Sequence, residues 1–302
     1  MSSIIDKTYK RLSIQVSLSG LSFAVFDVIT DHIIALQSIP FSAFQRSSKI
    51  EDLFAVVFHE YPELRNSYDE IKIIHSNNLC TFVPTALFDS EFIGSYLQYN
   101  TKVFETDYFT YDSLPNYEME NVYIPYVNMN NFFIDQYGSF DYQHAHTLLV
   151  QKLLDYSKNN DQRTMYVHVS SGHFEIVVIE NRKLQLYNSF EFKTPEDFLY
   201  YILFTAEQLH LNPESFPLVL LGAVEEEDDL YQMAYKYVRN VSLLSLRSLV
   251  NGRTEAENRQ HFILVHAWEL FQENTKVDAW SLPKTYRFVP QRTWVRNRYS
   301  IF

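Results

Sequence analysis

The sequence is poor in the residues that make cross-links and loose loops. One cysteine, Cys80, stands among 302 residues; this excludes an internal disulfide framework and a cysteine-rich metal site, and it fits a reducing compartment. Six glycines occur and none are adjacent, against a usual share of ~7%. A glycine-rich loop that lays several backbone N–H groups against a phosphate is therefore missing. No stretch of ~18 apolar residues is present, so no membrane span is predicted. Residues 1–16 carry Asp6, Lys7, Lys10 and Arg11 and no apolar stretch of signal-peptide length, and the expected location is the cytoplasm. Positive charge is also short, with 25 Lys and Arg against 37 Asp and Glu for a net −12. That balance disfavours nucleic acid and anionic lipid as partners.

What is present is apolar and aromatic: 46% of residues are hydrophobic and 16% are Phe, Trp or Tyr, enough to bury a large core. The length fits two domains. An internal repeat supports that division. The first half opens with "LSIQVSLSGLSFAVFD" (residues 12–27), two apolar strands meeting at Ser19-Gly20. The second opens with "MYVHVSSGHFEIVVIENRKLQLYNSFEF" (residues 165–192), whose first corner is Ser171-Gly172. Third strands follow at 33–36 and 184–190, and then a helix in each half. Ser48 with Glu51 forms a capping box ahead of one helix, and Thr194 with Pro195 and Asp197 caps the other. Short apolar strands at 71–74 and 218–221 complete a β-β-β-α-β unit in each half, so mixed sheets covered by helices are predicted. Further helices are expected near 90–99, near 230–238 and over "AHTLLVQKLLDYS". The expected domains are 1–140 and 141–302, packed together without a flexible linker. The second ends in a tail, residues 281–302, with Lys284, Arg287, Arg292, Arg296 and Arg298 among aromatics and no acid.

This duplicated plan resembles the actin-like ATPase superfamily, which includes actin, hexokinase and the large heat-shock chaperones, with a ribonuclease H-like unit in each half. The stretches "SLSGLSFAVFD", "FVPTALF" and "QHAHTLLVQKLL" are similar to those of a bacterial family of unknown function with the same fold. The resemblance implies an α/β fold with a cleft between the domains, where ATP lies against two phosphate hairpins and an adenosine-side loop. Carried over by position, the hairpins fall on residues 16–21 and 169–174 and the adenosine loop begins at Gly222. The candidate cofactor-binding residues are then Ser19, Gly20, Ser170, Ser171, Gly172 and Gly222.

The departures concern the metal. In the superfamily an aspartate two residues before each hairpin glycine holds Mg²⁺ through water; those places here hold Leu18 and Ser170. Mg²⁺ needs at least one or two hard oxygen ligands from the protein. The loop after Gly222 reads "AVEEEDD", and Glu225, Glu226, Glu227, Asp228 and Asp229 would repel a triphosphate. As a run at a helix start they favour the helix dipole.

Other chemistry is weakly signalled. His144 and His146 are two apart and diverge if both lie on a helix. His261 and His266 are five apart, not four, and H-E-x-x-H is absent. His168 and His173 flank the second corner and are expected to close polar gaps at strand ends. Cys80 alternates with Phe82 and reads as a buried structural thiol. Ser170 and Ser171 lie on a strand-to-strand turn, not on a nucleophile elbow. No catalytic residue, no metal site and no cofactor are therefore expected. The function expected is a non-catalytic scaffold acting on an unidentified protein partner, with no enzyme activity expected. The alternatives are a nucleotide switch or weak ATPase using Mg-ATP, and nucleic-acid binding through residues 281–302.

Overall fold

Two five-stranded mixed sheets with the same strand plan organise the chain. The computed structural model describes residues 7–42, 49–104, 106–246 and 254–267. The first sheet has the order β3-β2-β1-β4-β8, from β1 (Lys10–Ser17), β2 (Gly20–Asp27), β3 (His32–Pro40), β4 (Glu70–His75) and β8 (Asp141–His144). The second has the order β11-β10-β9-β12-β13, from β9 (Thr164–Ser170), β10 (His173–Glu180), β11 (Lys183–Glu191), β12 (Pro217–Gly222) and β13 (Asn240–Leu243). Between β4 and β8 a small antiparallel sheet is inserted, ordered β5-β7-β6, from β5 (Cys80–Pro84), β6 (Thr110–Leu114) and β7 (Met119–Tyr123).

The repetition extends to residue register. Leu12 of β1 lies opposite Val25 of β2 and beside Ile71 of β4. Met165 of β9 lies opposite Val178 of β10 and beside Leu218 of β12. A β-bulge follows Val25 in one sheet and Val178 in the other. The same register corrects the expected alignment of the corners. Each hairpin has a two-residue turn, Leu18-Ser19 and Ser171-Gly172, closed by the pairs Ser17–Gly20 and Ser170–His173. Gly20 therefore corresponds to His173 and not to Gly172, because strand pairing and not the Ser-Gly dipeptide sets the equivalence.

Helices fill three layers around the sheets. α1 (Ile50–Glu60) and α3 (Val127–Tyr137) cover the outer face of the first sheet, where Leu12, Ile14, Val16 and Phe23 meet Phe54, Phe58 and Phe133. α5 (Pro195–Gln208) and α6 (Asp229–Tyr237) cover the outer face of the second, where Val167, Phe174 and Ile176 meet Phe198, Ile202 and Ala234. α4 (Ala145–Tyr156) and α8 (Phe262–His266) share one core with Ala24 and Ile74 of the first sheet and Tyr166, Val177 and Leu221 of the second. Residues 145–150 are buried without a break, as a helix enclosed on all sides requires. Strand alternation follows: odd-numbered residues of β9 and even-numbered residues of β10 face α5, while Tyr166, His168, Glu175 and Val177 face α4.

Local signals account for several ends. Thr194 accepts the Asp197 N–H at 3.2 Å and Asp197 accepts the Thr194 N–H at 3.1 Å, a complete capping box. The Ser48 half of the first capping box lies outside the described residues; α1 starts behind Lys49, which makes no side-chain cap bond. The helix expected near 90–99 is a 3-10 turn, Ser90–Phe92, followed by α2 (Ile93–Leu97). α7 (Glu255–Gln260) carries the cap pair Thr254–Glu257. The division expected at 140/141 falls just ahead of β8, a strand that pairs with β4 of the first sheet. No helix among the described residues is long and apolar enough to cross a membrane.

Candidate functional site

The corners singled out by resemblance are hairpin turns, and in the first the polar groups answer each other. In the first, the Ser17 and Ser19 hydroxyls lie 2.9 Å apart, Ser17 Oγ accepts the Ser19 N–H at 3.1 Å, and the Ser19 carbonyl accepts the Phe41 N–H at 2.8 Å. In the second, Ser171 and Gly172 are exposed, and Gly172 has φ +80° with open space around it. Gly222 has a structural reason of its own. Its φ is +90° and a Cβ there would lie 2.2 Å from the Val169 carbonyl oxygen; the next residue, Ala223, donates to that same oxygen at 2.8 Å. The acidic loop that follows is partly tied down: Glu225 pairs with the buried Arg259 at 2.6 Å, and its N–H goes to Asp228 Oδ2 at 2.8 Å. Glu226, Glu227 and Asp228 are exposed.

Just behind the second turn lies a buried ionic cluster that the sequence did not disclose. Glu175 is fully buried. Its carboxylate meets His168 Nδ1 at 2.8 Å, His146 Nε2 at 3.3 Å and His173 Nε2 at 3.6 Å, and accepts the Ser189 hydroxyl at 3.3 Å. His146 turns its other nitrogen, Nδ1, to the Tyr187 hydroxyl and to Cys80 Sγ, the latter at 3.4 Å. Cys80 Sγ is also 3.4 Å from the Tyr187 hydroxyl. The expected divergence of His144 and His146 is corrected here. His144 closes β8 with extended backbone, φ −83° and ψ 141°, and only His146 is helical, so their rings pack 4.8 Å apart. His144 Nδ1 caps α4 by accepting the His146 N–H at 3.2 Å, and its Nε2 faces Asn77 Oδ1 at 3.2 Å.

Burial penalises charge on all of these groups, and the neighbours decide which remain charged. Burial lowers His146, but Glu175 first and then Cys80 outweigh it and push it up to about 10. Burial raises Glu175, and His146 and His168 overcome that to hold the carboxyl well below the usual range. Burial, with His146 and His75 beside it, holds His144 well below the imidazole range. His146 and Glu175 thus form a buried ion pair, with His144 neutral.

Around the first sheet the polar groups are arranged differently. His75 is lowered by burial to about 4. Neutral, it faces Asn130 Oδ1 at 2.9 Å and accepts the Tyr126 N–H at 3.3 Å. Asp112, raised by burial to about 6, accepts from Thr147 at 2.6 Å, Tyr123 at 3.0 Å and the His144 N–H at 2.8 Å. A groove of about 360 Å³ lined by Thr8, Lys10, Ile34, Glu63, Asn66 and Tyr68 lies at the opposite end of the first sheet from the Leu18-Ser19 turn. His261 precedes α8 and His266 is its last residue, packed against Phe262 and Tyr156. Residues 281–302 lie outside the described residues.

The chain belongs to the family described as "Protein of unknown function (DUF3822)", whose model matches residues 2–241. It is similar to a Bacteroides thetaiotaomicron protein with actin-like ATPase fold and unknown function: identity is 25% and the TM-score 0.71, over 81% of this chain and 94% of that one. It is also similar in fold to a chain of the PilM–PilN type IV pilus biogenesis complex, at 12% identity and TM-score 0.55, over 86% of this chain and 98% of that one. No curated protein matches it. The two-sheet architecture is the actin-like ATPase fold.

Proposed function

We propose that this protein is a non-catalytic member of the actin-like fold that acts by binding other proteins, as an assembly or regulatory scaffold. The position of its carboxylates carries this reading. The turns that would meet a triphosphate hold Leu18, Ser19, Ser171 and Gly172, while five acids follow Gly222 on the side where the adenosine would lie. A magnesium triphosphate needs the reverse: hard oxygens near the phosphates and no excess negative charge around the nucleotide. Glu175, the carboxylate that follows the second turn, already serves three histidines.

Two further observations support a binding role. Tyr200, Phe204 and Tyr235 on α5 and α6 are 59%, 44% and 60% exposed, and exposed aromatic rings are favoured anchors at interfaces. The fold also occurs in a two-protein assembly, the PilM–PilN complex. Thermal melting with and without millimolar Mg-ATP tests the reading. A ligand at one hundred times its Kd stabilises by ~2.7 kcal/mol, a shift of several degrees in a protein of this size. The expected result is no shift and no ATP turnover, with affinity capture from the native cell retaining a protein partner whether or not Mg-ATP is added. A clear shift would establish the nucleotide-binding alternative instead.

A further inference from the structure

We propose that Cys80, His144 and His146 form a buried site for a borderline-soft divalent cation of the zinc type. One ligand atom from each residue lies within 4.8 Å of the other two, and all three side chains are buried. Thiolate and imidazole are the donors such an ion selects. The residues come from the start of β5, the end of β8 and the first turn of α4, so the inserted sheet, the first sheet and the central helix converge on one point. Cys80 Sγ and His146 Nδ1 are 3.4 Å apart. Two atoms sharing a tetrahedral zinc through bonds of ~2.3 Å and ~2.05 Å would be about 3.6 Å apart.

The surroundings match what a metal-bound histidine requires. A ligating imidazole normally gives its second N–H to a carboxylate or amide oxygen, which fixes the tautomer and leaves the other nitrogen as ligand. His146 Nε2 is 3.3 Å from Glu175 Oε1. His144 Nε2 is 3.2 Å from Asn77 Oδ1, an oxygen fixed as acceptor because it also takes the Leu79 N–H at 2.9 Å. Nδ1 is thus the ligating atom on both rings, and on His144 the ion would replace the cap bond to the His146 N–H. The Tyr187 hydroxyl touches both His146 Nδ1 and Cys80 Sγ, the position of a fourth ligand. Charge also balances: the Cys80 thiolate and the Glu175 carboxylate together offset a divalent ion, so the buried assembly carries no net charge.

Metal analysis of the purified full-length chain tests the proposal, followed by replacement of zinc with Co²⁺. The expected result is about one zinc per chain and, with Co²⁺, a thiolate charge-transfer band in the near ultraviolet beside tetrahedral d–d bands in the visible. Cys80→Ser is expected to abolish the charge-transfer band. Glu175→Gln, which removes the carboxylate behind His146 without removing a ligand, is expected to lower Co²⁺ affinity by ~10- to 100-fold. His59→Asn, at an exposed position of α1, should leave binding unchanged. Far-UV circular dichroism checks that each variant folds, and the wild-type measurement decides even where one does not. Substoichiometric zinc with no cobalt band in the wild type would overturn the proposal, leaving the cluster as a hydrogen-bonded core; so would a charge-transfer band that persists in folded Cys80→Ser.

Discussion

Ser22 and Glu175 occupy the same place in the two sheets. Each is the third residue of its hairpin's second strand. Ser22 lies opposite Gln15 and Ser38, Glu175 opposite His168 and Ser189. Yet Ser22 is only half-buried and shares a 2.9 Å hydroxyl contact with Ser38, whereas Glu175 is fully buried among three histidines. The backbone plan does not account for this difference. What packs above the strand does: the first turn of α4, Cys80 of the inserted sheet and Tyr187 of β11 close over one site only. Two sheets of one plan can therefore carry a buried ion pair in one and a half-buried serine in the other.

The largest test of that contrast is truncation. In the chelator-treated, metal-free protein Glu175→Ala leaves a buried imidazolium unpaired and should destabilise by ~3–5 kcal/mol, while Ser22→Ala should change stability by no more than ~0.5 kcal/mol. Urea denaturation measures both, and equal losses would break the comparison. Next in size is the residue that pairs with the last core position of the hairpin's first strand. This is Gly222, beside Val169, in the second sheet and His75, beside Val16, in the first. Gly222→Ala combines positive φ with backbone overlap and should cost ~2–4 kcal/mol. Gly172→Ala, with positive φ in open space, should cost ~1 kcal/mol.

The two sides should also differ in pH dependence: the His146–Glu175 site loses stability in alkali as well as in acid, and the His75 site in acid alone. In the metal-free protein His146 is held up to about 10, so its contribution is complete below the unfolded value of ~6.5 and is lost as pH rises toward 10. Glu175, held low, contributes above the ordinary carboxyl range and loses that contribution in acid. His75 is held down to about 4, so the unfolded chain takes up a proton first and stability falls as pH drops from ~6.5 toward 4. Denaturation midpoints across pH should show the alkaline loss removed in His146→Asn and part of the acid loss removed in His75→Asn. An unchanged alkaline limb in His146→Asn would contradict the buried ion pair. The smallest effect is expected at the exposed turn, where Ser19→Ala should cost no more than ~0.5 kcal/mol; a greater loss by the same assay would show that the first corner is more than a turn.

Much of the framework could be read before any coordinates. Apolar periodicity marked β1, β2, β9 and β10. Thr194, Pro195 and Asp197 marked the start of α5, and the order β-β-β-α-β appeared twice. These are local signals, set by backbone preference and by capping groups a few residues apart. Short elements without such signals were hidden: β8 is four residues long, and the Ser-Gly dipeptides suggested an alignment one residue out of register. His144 and His146 were legible as a pair, but their convergence depends on a strand-to-helix corner between them.

The amino-acid order by itself determined the strand and helix repertoire, the scarcity of glycine, and the absence of aspartate from the two hairpin turns, because each depends on residue identity or short-range geometry. Only the tertiary structure decided that Cys80, His146, Glu175 and Tyr187 meet. Their contact requires two sheet faces and an inserted strand to close on one helix, and separations of up to 107 residues leave no trace in local periodicity. Burial there removes water, so ion pairing replaces hydration as the term that sets charge. No pattern in the chain could express that before the faces were brought together.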